Sequence, residues 1–197
     1  MIRSSTLMPF ANSRRKAPSK ILQRGFDMVQ LSLVVIIIAV LAAAGFVIFS
    51  SVLHNASSQK NANYINQIAG GLKKNLGSQN LYGSVTTTMA VSQAIIPSEL
   101  KSNAAAPWTA ANSYGGAITV VPNAAGLSTP NDSATLTWPN VDSTECNDLV
   151  IATAKVARQI TVGATTVKPT DSALNLAGLA TACDAATTAT VVYQVGR

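Results

Sequence analysis

The sequence predicts an α+β chain, with one long N-terminal α-helix packed on a C-terminal antiparallel β-sheet, short helices and one disulfide. Three observations lead there. From Met28 to Leu53 there is no charged residue, a run longer than the roughly 20 residues that a bilayer-spanning helix needs. Beyond it, Ile65, Ile68, Leu72 and Leu76 recur at helical spacing, which continues the helix as an amphipathic one. The second half of the chain is dominated by Ala, Thr, Ser, Val and Asn, in short β-branched segments parted by turn residues.

Residues 1–25 hold Arg3, Arg14, Arg15, Lys16, Lys20 and Arg24 and no acid, so they contain all of the net charge of +6. From Phe26 onward basic and acidic residues balance. The excess therefore reads as a topology signal that keeps this end on the cytoplasmic side of a membrane. A nucleic-acid-binding surface is not expected, because no Lys/Arg cluster follows the leader.

Three fates of the leader compete. Ala42, Ala43 and Ala44 offer a small-residue secretory cleavage site before Gly45, although the apolar run continues through Phe46 to Phe49. An uncut chain would be a plain single-pass anchor. Cleavage between Gly25 and Phe26 would leave the apolar segment on the mature protein.

The helix is expected from about Asp27 to Leu76, roughly 75 Å at 1.5 Å per residue, with Gly77 as its stop. Gly45 and the Gly70-Gly71 pair weaken it locally and mark bends or close-packing points. His54 reads as an interfacial residue at the end of the apolar run. Residues 77–113 resist regular assignment, apart from a short helix capped by Thr86 that ends before Pro97. Trp108 reads as a loop anchor.

Ala117–Val121 and Ala134–Trp138 are expected strands of a hairpin, joined by the turn-rich loop Asn123–Asp132. Asp142 and Glu145 have capping-box spacing and open a helix to about Arg158, with Leu149, Ala152 and Val156 on one face. Ile160–Val162 and Thr165–Val167 flank Gly163 as a second hairpin. Ser172–Ala182 is a turn or helical piece, and Thr187–Val195 is the closing strand.

Cys146 and Cys183 both follow the apolar run, and an even count in an exported domain favours one disulfide. No catalytic set is visible. His54 is the only histidine, which leaves no second one for a metal or a nucleophile–base pair. Asp142, Glu145 and Asp148 read as a solvated helix start rather than a Ca²⁺ site. Gly115-Gly116 is too short for a phosphate loop, and the four tyrosines are too scattered for a stacking platform. No cofactor is implied.

The order of these features resembles a known family. Gly25-Phe26-Asp27-Met28-Val29-Gln30, after a basic leader and before the apolar run, resembles the processing site of type IV prepilins. The strings S-Y-G-G-A-I-T-V-V-P (Ser113–Pro122) and W-P-N-V-D-S-T-E-C-N-D-L (Trp138–Leu149), with a second cysteine near the end, resemble the PilS-type subfamily of type IVb pilins. The resemblance implies the type IV pilin fold, divided into a leader (1–25), a filament-core half-helix (26–53), an amphipathic half-helix (54–77) and a head (78–197). It implies a prepilin peptidase that cuts after Gly25 and methylates Phe26. It also implies a homopolymer of pilin subunits, an assembly ATPase, an inner-membrane platform, an outer-membrane secretin, and a route from the inner membrane to a surface filament for conjugation, adhesion or aggregation. In the family the segment between the cysteines faces neighbouring subunits.

One position departs from the pattern. The fifth residue after the cut is Gln30, where the family has Glu to neutralise a neighbour's terminal amine. Asp27 is the nearby carboxylate that can take that role, since an unpaired amine in a dry core is costly. The alternatives are a non-polymerising single-pass periplasmic protein and a type II secretion pseudopilin.

Overall fold

The computed structural model describes residues 28–196, except the side chains of 28–30 and 43–55. The chain divides between Gly45 and Phe46 into two units. A single helix, α1, runs over Met28–Leu76. Its side chains described in the first unit, residues 31–42, are all exposed. Among the described residues no helix is long and apolar enough to cross a membrane, and much of the uncharged run lies outside the described side chains.

In the second unit Ile65, Ile68, Ala69, Leu72 and Leu76 of α1 are buried, and this is the expected stripe. After α1 come a 3-10 turn at Leu81–Ser84, α2 (Thr87–Ser92) and a second 3-10 turn at Ser98–Leu100. The Thr86 side chain accepts from Met89 N, so the predicted cap forms. The strands are β1 (Ala110–Ala111), β2 (Ala117–Pro122) and β3 (Ser133–Asp142). Then follow α3 (Ser143–Thr153), β4 (Gln159–Val162), β5 (Thr165–Lys168), α4 (Leu176–Asp184) and β6 (Thr188–Gly196).

The sheet has six strands in the order β1-β2-β3-β6-β4-β5, and every pair is antiparallel. Its inward side chains, among them Ile118, Leu136, Trp138, Val191 and Tyr193, share one core with the α1 stripe. Both expected hairpins form, and Gly163 turns the second with φ 58, a conformation that favours glycine.

Three expectations change. First, α3 ends at Thr153 rather than Arg158. The Arg158 N–H donates to the Gln194 carbonyl, so pairing with β6 claims these residues, and Val156 packs on the core from beyond the helix. Second, β3 runs on to Asp142 through a bulge between Trp138 and Val141. Asn140 sits there at φ 59, and the bulge accommodates Pro139. Third, Glu145 is buried rather than solvated.

Candidate functional site: the helix surface and the disulfide-bounded region

Two features of the described residues stand out, the exposed apolar surface of α1 and the region bounded by the two cysteines. In the first unit Leu31, Ile36 and Leu41 are 58%, 63% and 66% exposed. Burying each such side chain from water contributes about 1.5–3 kcal/mol. Of the residues expected at the processing and assembly site, Gly25, Phe26 and Asp27 lie outside the described residues. Gln30 falls in the first turn of α1, and its side chain is not among those described.

Cys146 and Cys183 are joined in a disulfide, and neither is exposed. The bond ties the first turn of α3 to the end of α4, across a separation of 37 residues. The β4–β5 hairpin lies between. The Lys168 ammonium donates to the carbonyls of Ala154 and Ala157, which satisfies the open end of α3.

The start of α3 is held by two acids with different tasks. Asp142 caps the helix, accepting from the Thr144 N–H at 2.9 Å. Glu145 accepts from the Tyr114 hydroxyl at 2.5 Å. Tyr114 rides on the turn after β1, where the Asn112 side chain accepts from the N–H groups of Tyr114 and Gly116. Next to it, Ser113 donates to Asn61 of α1 at 2.6 Å. Burial, and then the bonded Glu145 carboxylate, raise the Tyr114 phenol well above its ordinary range, while Ser57 and Asn61 act in the opposite sense. Asn61, Ser113, Tyr114 and Glu145 thus clasp α1, the β1–β2 turn and α3 together.

A second cluster ties the β2–β3 loop to the disulfide-bounded region. Arg158 bonds the exposed Asp171 and the Ser128 hydroxyl, and lies 3.9 Å from Asp132. Burial alone would raise the Asp132 pKa. The N–H groups of Leu127, Thr129 and Ser128 and the Ser133 hydroxyl outweigh it and hold the carboxyl at about 2. Desolvation, then Lys168 and Arg158, lower the pKa of Lys73 in the last turn of α1.

A shallow cleft of about 220 Å³ lies between α1 and α3, lined by Ser58, Gln59, Asp148, Ile151 and Ala152. Among the described residues no group of three or more His, Cys, Asp or Glu side chains could hold a metal ion. The residues that sequence reasoning missed are Asn61, Tyr114, Asp132 and Arg158. Only Arg158 had a legible signal, as a cation between a helix and a strand inside the region bounded by the cysteines.

Comparison with known proteins places these features. A family model described as PilS N terminal matches residues 55–195. No curated protein matches the chain. The crystal structure of a type IVb pilin from Salmonella typhi matches with a TM-score of 0.53 at 18% identity, over 72% of this chain and 99% of that one. The crystal structure of TcpA, a type IV pilin from the Vibrio cholerae El Tor biotype, matches with a TM-score of 0.46 at 15% identity, over 68% of this chain and 98% of that one. The likeness to the Salmonella protein concerns the fold alone. The chain belongs to the PilS family and carries the type IV pilin fold.

Proposed function

We propose that the chain is the structural subunit of a type IVb pilus. It polymerises through its apolar N-terminal helix into a surface filament that serves conjugation, adhesion or aggregation. The observation that carries this reading is the exposed apolar surface of α1 over residues 31–42, on a chain of the PilS family. In this reading the apolar half-helix has two homes. In the inner membrane lipid solvates it, and in the filament copies of the same segment do. Prepilin peptidase cuts after Gly25 and methylates Phe26. An assembly ATPase and a membrane platform extract the subunit, and a secretin lets the filament out. Asp27 neutralises the neighbour's terminal amine in place of the family Glu, because Gln30 offers only a neutral hydrogen bond.

The test is the N-terminus of the mature protein, by intact mass and terminal sequencing of a membrane-plus-surface fraction. A chain that begins at Phe26, with or without a methyl group, is the expected result. A chain that begins at Gly45 overturns the reading, because it has lost the segment that would polymerise. An uncut chain points to a plain anchor. Filament yield then tests the amine partner: Asp27→Asn should abolish assembly and Gln30→Glu should tolerate it. Normal filaments from Asp27→Asn would sink the pairing idea.

A further inference from the structure

The face of the sheet turned away from α1 carries its own information. Inward and outward positions alternate along each strand, and the inward ones fill the core. The register aligns one outward row across five strands. Thr119 pairs with Thr137, Thr137 with Val192, Val192 with Thr161, and Thr161 with Thr166. In the next row Thr135 pairs with Gln194. In these two rows, from Thr119 and Val121 on β2 to Thr161 and Gln159 on β4, no position is Lys, Arg, Asp or Glu, and Asp142 lies farther along β3, past the bulge, paired with Thr188. Two pairs on this face are hydrogen-bonded: Thr135 donates to the Gln194 side-chain carbonyl at 3.2 Å, and Thr161 and Thr166 share a hydrogen bond at 3.4 Å.

We propose that this face is a contact between two copies of the chain in neighbouring filaments. The inference rests on the filament reading above. Three arguments select the occupant. Rows without charge repel no copy of themselves, whereas a single-sign face would be penalised when opposed to its own image. Hydroxyls already paired across strands lose little when water leaves, so a second flat face covers them at low cost. A face that matches itself makes an isologous contact, which closes on a pair, while growth along a filament needs heterologous contacts. The self-matched face therefore joins filaments rather than building one.

Its size fixes the regime. Strands about 4.8 Å apart give a face of roughly 400 Å² per copy, near half of the about 800 Å² per partner of a standard interface. A single pair of heads binds weakly. A row of subunits along two filaments binds through many copies at once, and the association becomes strong.

The experiment uses the full chain in cells that assemble filaments, sheared off and viewed by negative-stain electron microscopy. Parent filaments are expected to lie side by side. Thr137→Lys and Thr137→Glu filaments should each stay single, with filament yield unchanged, and Thr137→Val should associate as the parent does. A mixture of the Lys and Glu filaments should associate again, which damage to the fold could not produce. The same pair of changes at the exposed Thr119 repeats the test at the other end of the row. Single parent filaments, charged variants that still associate, or mixtures that stay apart would each overturn the proposal. Loss of filaments from charge at both positions, with Thr137→Val intact, overturns it too, by putting the face inside the filament. No filaments from the parent would overturn the pilus reading, and this contact with it.

Discussion

At the residue scale, the two buried acids, Asp132 and Glu145, are held by different partners and are tested in different ways. Asp132 has its folded pKa lowered from 3.8 to about 2 by backbone and hydroxyl donors. A carboxylate depressed in this way stabilises the fold above its unfolded pKa, and that contribution is lost as pH falls from about 4 through 2. Asp132→Asn should therefore be less stable than the parent at neutral pH, with the gap closing toward about pH 2, as thermal unfolding followed by circular dichroism would show. A gap that stays constant with pH would mean that charge is not what the loop uses. Glu145 is tested through its partner. Tyr114→Phe removes a donor from a buried carboxylate, and such losses cost about 1–3 kcal/mol. Denaturant unfolding should show that loss, and an unchanged midpoint would remove the clasp from the account of the fold. Neither pairing was legible in the sequence. Tyr114 and Glu145 lie 31 residues apart, and only the turn shaped by Asn112 brings them together.

At the element scale, α1 shows what periodicity can and cannot tell. The spacing of Ile65, Ile68, Leu72 and Leu76 gave the buried face directly, because one stripe of a helix meets one core. The Gly70-Gly71 pair could be read as a bend or as a packing point, and the structure separates the two residues. A Cβ on Gly71 would lie 3.1 Å from Ile95, while nothing lies within 4 Å of one on Gly70. Gly71 is thus a close-approach point for the segment after α2. Gly70 is an exposed helix-interior glycine, which costs about 0.5–1 kcal/mol relative to Ala. Gly70→Ala should raise head stability by about that amount, and Gly71→Ala should gain less or lose, measured as paired denaturation midpoints. Equal gains at both positions would contradict the packing at Ile95. The end of α3 differs from the sequence expectation for a related reason. Helical spacing runs on through Val156, but the Arg158 N–H is needed by β6, and pairing of strands distant in sequence overrides local preference. The two-residue β1 left no pattern to read. Its residues are alanines, and only their register with Ala117 and Ile118 makes them a strand.

At the scale of the whole molecule, the head depends on long-range ties, because its secondary structure is short-ranged and sparse in large apolar side chains. Aromatics make up only 5% of the chain. The hairpins were legible because turn residues and β-branched runs alternate along the sequence, and the closing strand because Thr188–Gly196 is so strongly β-branched. The position of β6 between β3 and β4 was not legible, since strand order follows from burial on both sides and leaves no local mark. That arrangement makes the region between the cysteines an insertion, entered through α3 from β3 and left through α4 into β6. Two neighbouring central strands are thereby linked by a long excursion that only packing and one covalent bond hold down. Closing a loop of 37 residues by a crosslink stabilises by about 4 kcal/mol, with a usual span of 2–5, through the entropy that it removes from the unfolded chain. The double variant Cys146→Ala/Cys183→Ala should lose about that much in denaturant unfolding, and the reduced parent should match it. The excursion should then open before the rest of the head. Hydrogen exchange should accelerate first in β4, β5 and α4, while β2 and β3 keep their protection. Uniform acceleration across the sheet would show instead that the head is one cooperative unit, in which the disulfide stabilises every strand alike.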